Sequence, residues 1–371
     1  MNLNSRPKRD WINIAFLGTS PIVGIIGTAL YTAYAGFEWW MLGLLVVSYF
    51  LVGVSICGGY HRLFSHRAYD ASSLVQVFYA FFGAMAAQNS ILRWCSMHRT
   101  HHKYVDQEWD PYSIKRGFWW AHIVWIFHKN PDAGNYDNSP DLEANPIVRW
   151  QHRWTTAILI IGGFGLPTLA GWMLGDAIAG LLWGGFLRVV LVHHSTFFVN
   201  SLAHTLGTPS YAADVSARDN GLVALLTLGE GYHSFHHRFA SDYRNGIRWF
   251  HWDPTKWFIR ILQSAGLATN LRITPSPVIE RARMQVAMRM LEVRIASLSE
   301  QIAAETNRRL EAAREAMDEA AVLWRQYLSE RAAGMRKSWR ETRSRARSRV
   351  RDARREWNEA MRLLAQVAEL A

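Results

Sequence analysis

Eight histidines fall in three short clusters: His61-Arg62-Leu63-Phe64-Ser65-His66, His98-Arg99-Thr100-His101-His102 and His233-Ser234-Phe235-His236-His237. The last two share the pattern H-x-x-H-H. On a helix, positions i, i+3 and i+4 lie on one face, so each pattern is expected to aim three imidazoles at one point. Neutral imidazole is the commonest protein ligand for iron, zinc and copper. With 15 histidines in 371 residues, two such patterns would arise by chance on the order of once in several thousand chains. A pH sensor would need fewer histidines and no repeated spacing, and a purification tag would be a terminal run. Hydrolytic zinc sites keep three protein ligands and an open position. Eight imidazoles exceed one metal's needs and point to two, with oxidative attack on an unactivated C–H bond, such as that of a lipid tail, as the chemistry. The isolated His122, His128, His152 and His251 read as hydrogen-bonded structural or interfacial groups.

The elements that must carry these clusters are apolar. Half of the chain is hydrophobic and 13% is aromatic, with 18 Trp. Residues 14–35, 39–60 and 155–174 are uncharged, and 177–199 is broken only by Arg188, His193 and His194. Each run is long enough to cross a hydrocarbon core of about 30 Å as a helix. The mean hydropathy of −0.07 hides them because the C-terminal part is charged. The first run follows Arg6, Lys8, Arg9 and Asp10 but ends in no small-residue cleavage pattern, so a secretory signal is not expected.

The links at 36–38 and 175–176 carry no Lys or Arg, whereas the N-terminus, the middle region and everything after Asn200 are rich in them. The positive-inside rule then places both termini and all the clustered histidines on the cytosolic side. The net charge of +11 suits anionic headgroups and an acidic substrate. No nucleic-acid module is recognisable, so nucleic acid is not an expected partner. Cys57 and Cys95 provide no disulfide framework, which suits a reducing compartment. The apolar stretch 74–91 lies between two clusters that must meet, so it is expected as a helix on the interface or against the cytosolic part, not as a span.

After the hinge Thr274-Pro275-Ser276-Pro277 the composition changes. Residues 278–371 form a charged extension, with apolar positions Met284, Met288, Leu291, Ile295, Leu298 and Ile302 at spacings of three and four. That spacing predicts amphipathic helix or coiled coil. The stretch from Arg336 to Arg355 is strongly basic, with Trp339 inside it and Trp357 just beyond. It reads either as a surface for membrane or partner, or as a solvated helical tail.

Three motifs and one further element bring these residues together: Gly59-Tyr60-His61-Arg62-Leu63-Phe64-Ser65-His66, His98-Arg99-Thr100-His101-His102-Lys103, Gly229-Glu230-Gly231-Tyr232-His233-Ser234-Phe235-His236-His237, and Asn200-Ser201-Leu202-Ala203-His204. In them the chain resembles the integral-membrane fatty acid desaturases, most closely the acyl-CoA Δ9, stearoyl-CoA desaturase-like group, over about residues 10–265. The resemblance implies an all-α polytopic membrane domain, residues 1–272, with four transmembrane helices and a cytosolic helical cap holding a di-metal site. It implies two iron ions held by His61, His66, His98, His101, His102, His204, His233, His236 and His237, with Asn200 holding a water on one of them. The residues alone do not separate His204 from His193 and His194; the resemblance selects it and leaves those two as supporting groups.

By the same resemblance Gln88, Asn89 and Trp94 line the acyl entrance, and Arg93, Arg116 and Lys129 are candidates for the CoA phosphates. Ser234 stands where acyl-CoA members often have Asn, and Phe64 where many have Trp, differences that bear on chain-length preference. The implied reaction is oxygen-dependent cis desaturation, expected at Δ9, of a saturated fatty acyl-CoA. The chain has no flavin, nicotinamide or cytochrome-b5-like fingerprint. Electrons are therefore expected from an external carrier of ferredoxin, rubredoxin or cytochrome b5 type with its reductase, while membrane lipids surround the spans. Zinc can take histidine sites when supplied in excess. A membrane fatty acid hydroxylase or alkane monooxygenase has similar histidine boxes. A metal transporter or sensor would instead set histidines within the spans, where only His193 and His194 lie.

Overall fold

The computed structural model describes residues 8–130, 134–295 and 300–370. Arg6, part of the basic N-terminus, and Leu298, one of the apolar repeat positions, lie outside the described residues. Among the described residues the regular elements are helices, joined by loops, and one two-stranded ribbon, in which Asp70–Ala71 (β1) pairs antiparallel with Ala268–Thr269 (β2).

Four helices are long and apolar enough to cross a bilayer: Trp11–Ala35 (α1), Trp39–Ser65 (α2), Pro146–Met173 (α7) and Ala177–His204 (α8). Shorter helices lie between and after them. Ser73–Ala84 (α3), Ile91–Tyr104 (α4), Phe118–His122 (α5) and Pro140–Ala144 (α6) separate the two span pairs; Gly221–Leu226 (α9), His233–Arg238 (α10) and Pro254–Ser264 (α11) follow α8. At 1.5 Å per residue, 25 to 28 residues reach about 38–42 Å, which exceeds a hydrocarbon core of about 30 Å. The helices therefore run past the apolar stretches read from sequence. The second reaches Ser65, beyond residue 60, and the fourth reaches His204, beyond 199. The third begins at Pro146, ahead of 155, because Asn145 caps it. The Asn145 side chain accepts hydrogen bonds from the amides of Ile147 (2.9 Å) and Val148 (3.3 Å), and Pro146 occupies the first turn, where its missing N–H costs nothing.

The outer faces of the spans carry exposed Ile22, Ile26, Leu30, Val46, Val47, Ile160 and Leu169, as a lipid-facing surface requires. The α7–α8 hairpin closes tightly where Gly171 meets Gly180; a Cβ on Gly171 would stand 2.6 Å from the Gly180 Cα. Tyr31 donates to Asp176 at 3.0 Å, tying the first span to that hairpin near its turn.

The stretch 74–91 is not one helix. Its helix, α3, ends at Ala84, and Ala87 (φ 56°) and Asn89 (φ 74°) turn the chain back. The carbonyl of Met85, left free at that helix end, accepts from the buried Arg188 guanidinium of α8, which also donates to Gly163 (2.7 Å) and Gly184 (3.2 Å) carbonyls. The Ser90 hydroxyl then accepts from the Arg93 amide at 3.3 Å and starts α4. The reversal sets Gln88 and Asn89 on the wall of a cavity.

A second compact unit comprises Pro209–Asp214 and the chain after Ile273, which forms three helices, Ser276–Ile295 (α12), Glu300–Ala332 (α13) and Arg336–Leu370 (α14). Arg349 pairs with Glu319 and Arg309 with Glu356 at 3.2 Å, so α13 and α14 run antiparallel from the turn at Gly334 (φ 73°). Met284 packs with Met317, Ala320 and Ala353, and Ile295 with Leu310, Ala360 and Leu364. The apolar repeat thus closes a three-helix core of its own.

Candidate metal centre

The first histidine pair is separated by five residues, which on an α-helix would turn the rings about 140° apart. From Ser55 to Ser65, however, α2 is wound as a π-helix, and the His66 amide donates to the His61 carbonyl, an i→i+5 bond of 3.2 Å. The wider turn brings the two ring centroids to 4.9 Å. Contacts with α3, α4 and the link after α2 hold this turn in place. Tyr79 packs against Gly59 and Tyr60 against Gly83, where a Cβ would stand 2.6 Å and 2.3 Å from the respective Tyr side chain. The Cys95 thiol donates to the Tyr60 carbonyl (3.2 Å) and the Tyr69 hydroxyl to that of Gly58 (2.8 Å).

Nine histidines converge in two groups. His61, His66, His98, His102 and His236 offer nitrogens all within 4.8 Å of one another, and so do His101, His204, His233 and His237. The expectation that each H-x-x-H-H aims three rings at one point is corrected here. Positions i and i+4 stay together, but i+3 precedes i+4 by one residue and so points about 100° away from it. On α4, His98 and His102 enter the five-membered group and His101 the other. On α10, His233 and His237 enter the four-membered group and His236 crosses to the first. Each motif therefore bridges both groups, and His102 and His237 stack between them at 4.4 Å. His193 and His194 belong to neither. His193 bonds the Ala86 carbonyl at 2.9 Å, and His194 lies 3.1 Å from His122, which also bonds Ser201. His128 bonds the Val124 carbonyl, His152 bonds Ser90, and His251 stacks on Tyr232.

The outer ring nitrogens show which way the inner ones are aimed. His61 Nδ1 lies 2.8 Å from Glu230 Oε2, and His101 Nδ1 lies 2.8 Å from Asp110 Oδ1. His204 Nδ1 lies 2.6 Å from the Ser216 hydroxyl, which itself donates to Asp106 at 2.6 Å. An Nδ1 hydrogen given to these acceptors leaves Nε2 as a bare lone pair. Yet Nε2 atoms face one another at 3.0 Å (His61–His236), 3.1 Å (His204–His233) and 3.4 Å (His101–His237). A hydrogen on the partner ring could serve one such contact. But His236 Nε2 faces both His61 and His102, and His233 Nε2 both His204 and His237, so one hydrogen cannot serve both neighbours whereas a cation among the nitrogens can. With a metal–nitrogen distance of about 2.1 Å, octahedral and tetrahedral edges are about 3.0 and 3.4 Å. The donor set therefore fits two metal ions of the iron, zinc or copper type.

Burial, with charge repulsion among the rings, pushes the pKa of His66, His98, His102, His233, His236 and His237 well below the ordinary histidine value, so these rings are neutral and free to ligate. Behind His61 stands a buried polar network that the sequence reading did not assign. Arg62 donates to Glu230 Oε1 (2.9 Å), to both oxygens of Asp253 (3.0 and 3.1 Å) and to the Tyr243 carbonyl (2.8 Å). Burial opposes ionisation of Glu230, but His61 and Arg62 outweigh it and hold its carboxyl at about 2. Arg62, next to His61, and Glu230, three residues before His233, lay inside quoted motifs, but nothing in either motif shows that the two meet. Asp106, Asp110, Ser216 and Asp253 carried no signal.

A cavity of about 570 Å³ opens beside the histidines, with His61 and His98 on its wall. Gln88, Asn89, Arg93, Trp94, Arg116, Lys129 and Asn200 all line it. Trp94 stacks on His98 at 4.9 Å, Gln88 donates to Thr196 at 3.0 Å, and the Arg116 guanidinium lies over the Trp120 ring. The buried Arg93 Nε has no hydrogen-bond partner among the described residues. Asp10, Glu108 and Asp137 share the wall, so its charge is mixed.

A family model described as "Fatty acid desaturase" matches residues 38–260. The chain is 40% identical over 288 residues to a "Probable acyl-CoA desaturase" of Schizosaccharomyces pombe, covering 76% of this chain and 59% of that protein. It is 37% identical to an "sn-2 palmitoyl-lipid 9-desaturase" of Nostoc sp., covering 72% of this chain and 92% of the relative. It is 36% identical to "Stearoyl-CoA desaturase 5" of Homo sapiens, covering 62% and 72%. The chain thus spans less than two thirds of the length of the fission-yeast relative.

Proposed function

This chain belongs to the fatty acid desaturase family, and on that premise we propose that it is an oxygen-dependent di-iron enzyme that introduces a cis double bond, at Δ9, into a saturated fatty acyl-CoA. The observation that carries the reading is the wall shared by the five-membered histidine group, through His61 and His98, and the cavity. Two irons in these groups, with dioxygen and two external electrons, would supply the oxidising power to remove one hydrogen from each of two adjacent methylenes.

The protein's own part is positioning. Glu230, Asp110 and Ser216 fix the tautomer and direction of His61, His101 and His204. Phe16, Leu17 and Ile56 give the cavity an apolar side for an alkyl chain, with Trp94 packed against the ligand His98. Gln88 and Asn89 would meet the polar end of the acyl group, and Arg93, Arg116 and Lys129 the CoA phosphates. Asn200 would hold a water at the metal. An external carrier of ferredoxin, rubredoxin or cytochrome b5 type would deliver the electrons. The basic excess outside the inter-span links supports a cytosolic location for both termini and the site.

The test is lipid analysis of a desaturase-deficient host expressing the chain. New cis-monounsaturated acyl chains are expected, and they should vanish in His101→Ala and His236→Ala, the two residues that cross between groups. Hydroxylated chains, or metal uptake with unchanged lipids, would overturn the reading. The coverage of the Nostoc relative favours a second headgroup, a lipid-bound acyl chain. Purified protein given stearoyl-CoA or phospholipid in separate assays distinguishes the two.

A further inference from the structure

The C-terminal three-helix unit lies outside the family match and contributes no residue to the two histidine groups. From Arg336 to Arg351 the chain carries eight basic side chains and one acid, Glu341. Helix α14 spends its inner face on packing, with Ala346, Ala353, Ala360 and Leu364 buried. Arginines on its flanks find acids, Arg349 with Glu319 and Arg354 with Glu280. Arg340, Arg343, Arg347 and Arg351 do not. They follow one another at helical spacing along an open groove with Trp339 and Ser344, and among the described residues none of the four has an ion pair. Arg340 lies over the Trp339 ring (5.7 Å) and Arg343 over that of Tyr327 (5.9 Å), while the buried Nε of Arg343 has no acceptor among the described residues. A planar guanidinium held on an aromatic face keeps outer N–H groups free for two oxygens of a phosphate.

We propose that this stripe docks on the headgroups of an anionic phospholipid bilayer. A row of forks without an enclosing cup matches a surface of many phosphates better than one soluble anion. The same chain carries four membrane-spanning helices, so a bilayer is always within reach. Exposed Leu328 and Met335, with half-buried Trp339, lie around the α13–α14 turn and supply the apolar contacts that accompany basic residues at headgroup level.

The test uses full-length protein in phosphatidylcholine nanodiscs, sedimented with vesicles of phosphatidylcholine alone or with added phosphatidylserine. Wild type should sediment only with the anionic vesicles, and less at high salt. At about fivefold per arginine, Arg340→Gln/Arg343→Gln/Arg347→Gln/Arg351→Gln should weaken sedimentation by on the order of several hundred-fold. Arg308→Gln/Arg314→Gln/Arg325→Gln/Arg331→Gln, which removes the same charge from α13, should not. Equal binding to neutral vesicles, retention by the stripe variant, or equal loss in both variants would overturn the proposal. So would capture of an acidic soluble protein without vesicle binding. If the fourfold variant loses helix by circular dichroism, the exposed single variants Arg347→Gln and Arg351→Gln must each show the fivefold loss.

Discussion

Replacing Glu230 by Gln isolates what the buried network contributes to the metal centre. Glu230, 4% exposed, accepts from His61 and from Asn245 (2.6 Å) on one oxygen and from Arg62 on the other. An amide can accept on one side only. The least costly orientation turns its nitrogen toward Arg62 and keeps the two other donors satisfied. One charge-assisted hydrogen bond is then lost, which costs about 1.5–3 kcal/mol. Arg62 retains Asp253 and the Tyr243 carbonyl, so the loss should stay below the roughly 3–5 kcal/mol of a buried pair broken outright. At the metal, His61 exchanges an ionised acceptor for a neutral one, and affinity should fall about 10–100-fold. Chelator titration of the purified protein, with bound metal read by mass spectrometry, measures this. Thermal unfolding measures the stability loss, and Glu143→Gln, at an exposed carboxylate, is the control. Metal retained to the same chelator concentration as in wild type would refute the tautomer argument.

Burial opposes ionisation of Asp141, but Arg99 and Arg67 hold its carboxyl at about 2. Its folded pKa is depressed, so its stabilisation is present above the unfolded value of about 3.9 and is lost as pH falls toward 2. The unfolding-temperature gap between wild type and Asp141→Asn should be widest at neutral pH and close across that window; a gap independent of pH would contradict it. Gly83→Ala puts a Cβ 2.3 Å from the Tyr60 ring and should destabilise by about 1–3 kcal/mol, measured as a lower unfolding temperature. His204→Ala should reduce bound metal per chain while His193→Ala leaves it unchanged; metal analysis showing equal loss in both would remove His204 from the four-membered group.

Much of the scaffold was legible because it depends on runs and periods along one chain. Uncharged stretches announced four long apolar helices, and three-and-four spacing announced the helices of the C-terminal unit. Boundaries were less legible, since a polar turn stays helical when a neighbour caps it, as Asn145 does at α7. The break in 74–91 was hidden for a different reason. The Met85 carbonyl, just past the end of α3, is received by the guanidinium of Arg188, which belongs to the fourth span and is distant in sequence.

Of the site, the sequence by itself determined the donors: eight clustered imidazoles, too many for one metal, on elements beside a membrane. His204 came only through the resemblance, because nothing in its own spacing separates it from His193 and His194. Tertiary structure decided how the donors are shared. Helical periodicity gives each side chain a direction about its own axis but not the position of the neighbouring axis. Only the meeting of rings from α2, α4, α8 and α10 shows that each H-x-x-H-H divides two and one between the metal groups. Only the π-helical turn, held open by Tyr60, Tyr79 and their facing glycines, brings His61 and His66 to one side. The carboxylates that orient the rings are likewise set by contacts between distant segments, and a pattern local to one segment cannot encode them.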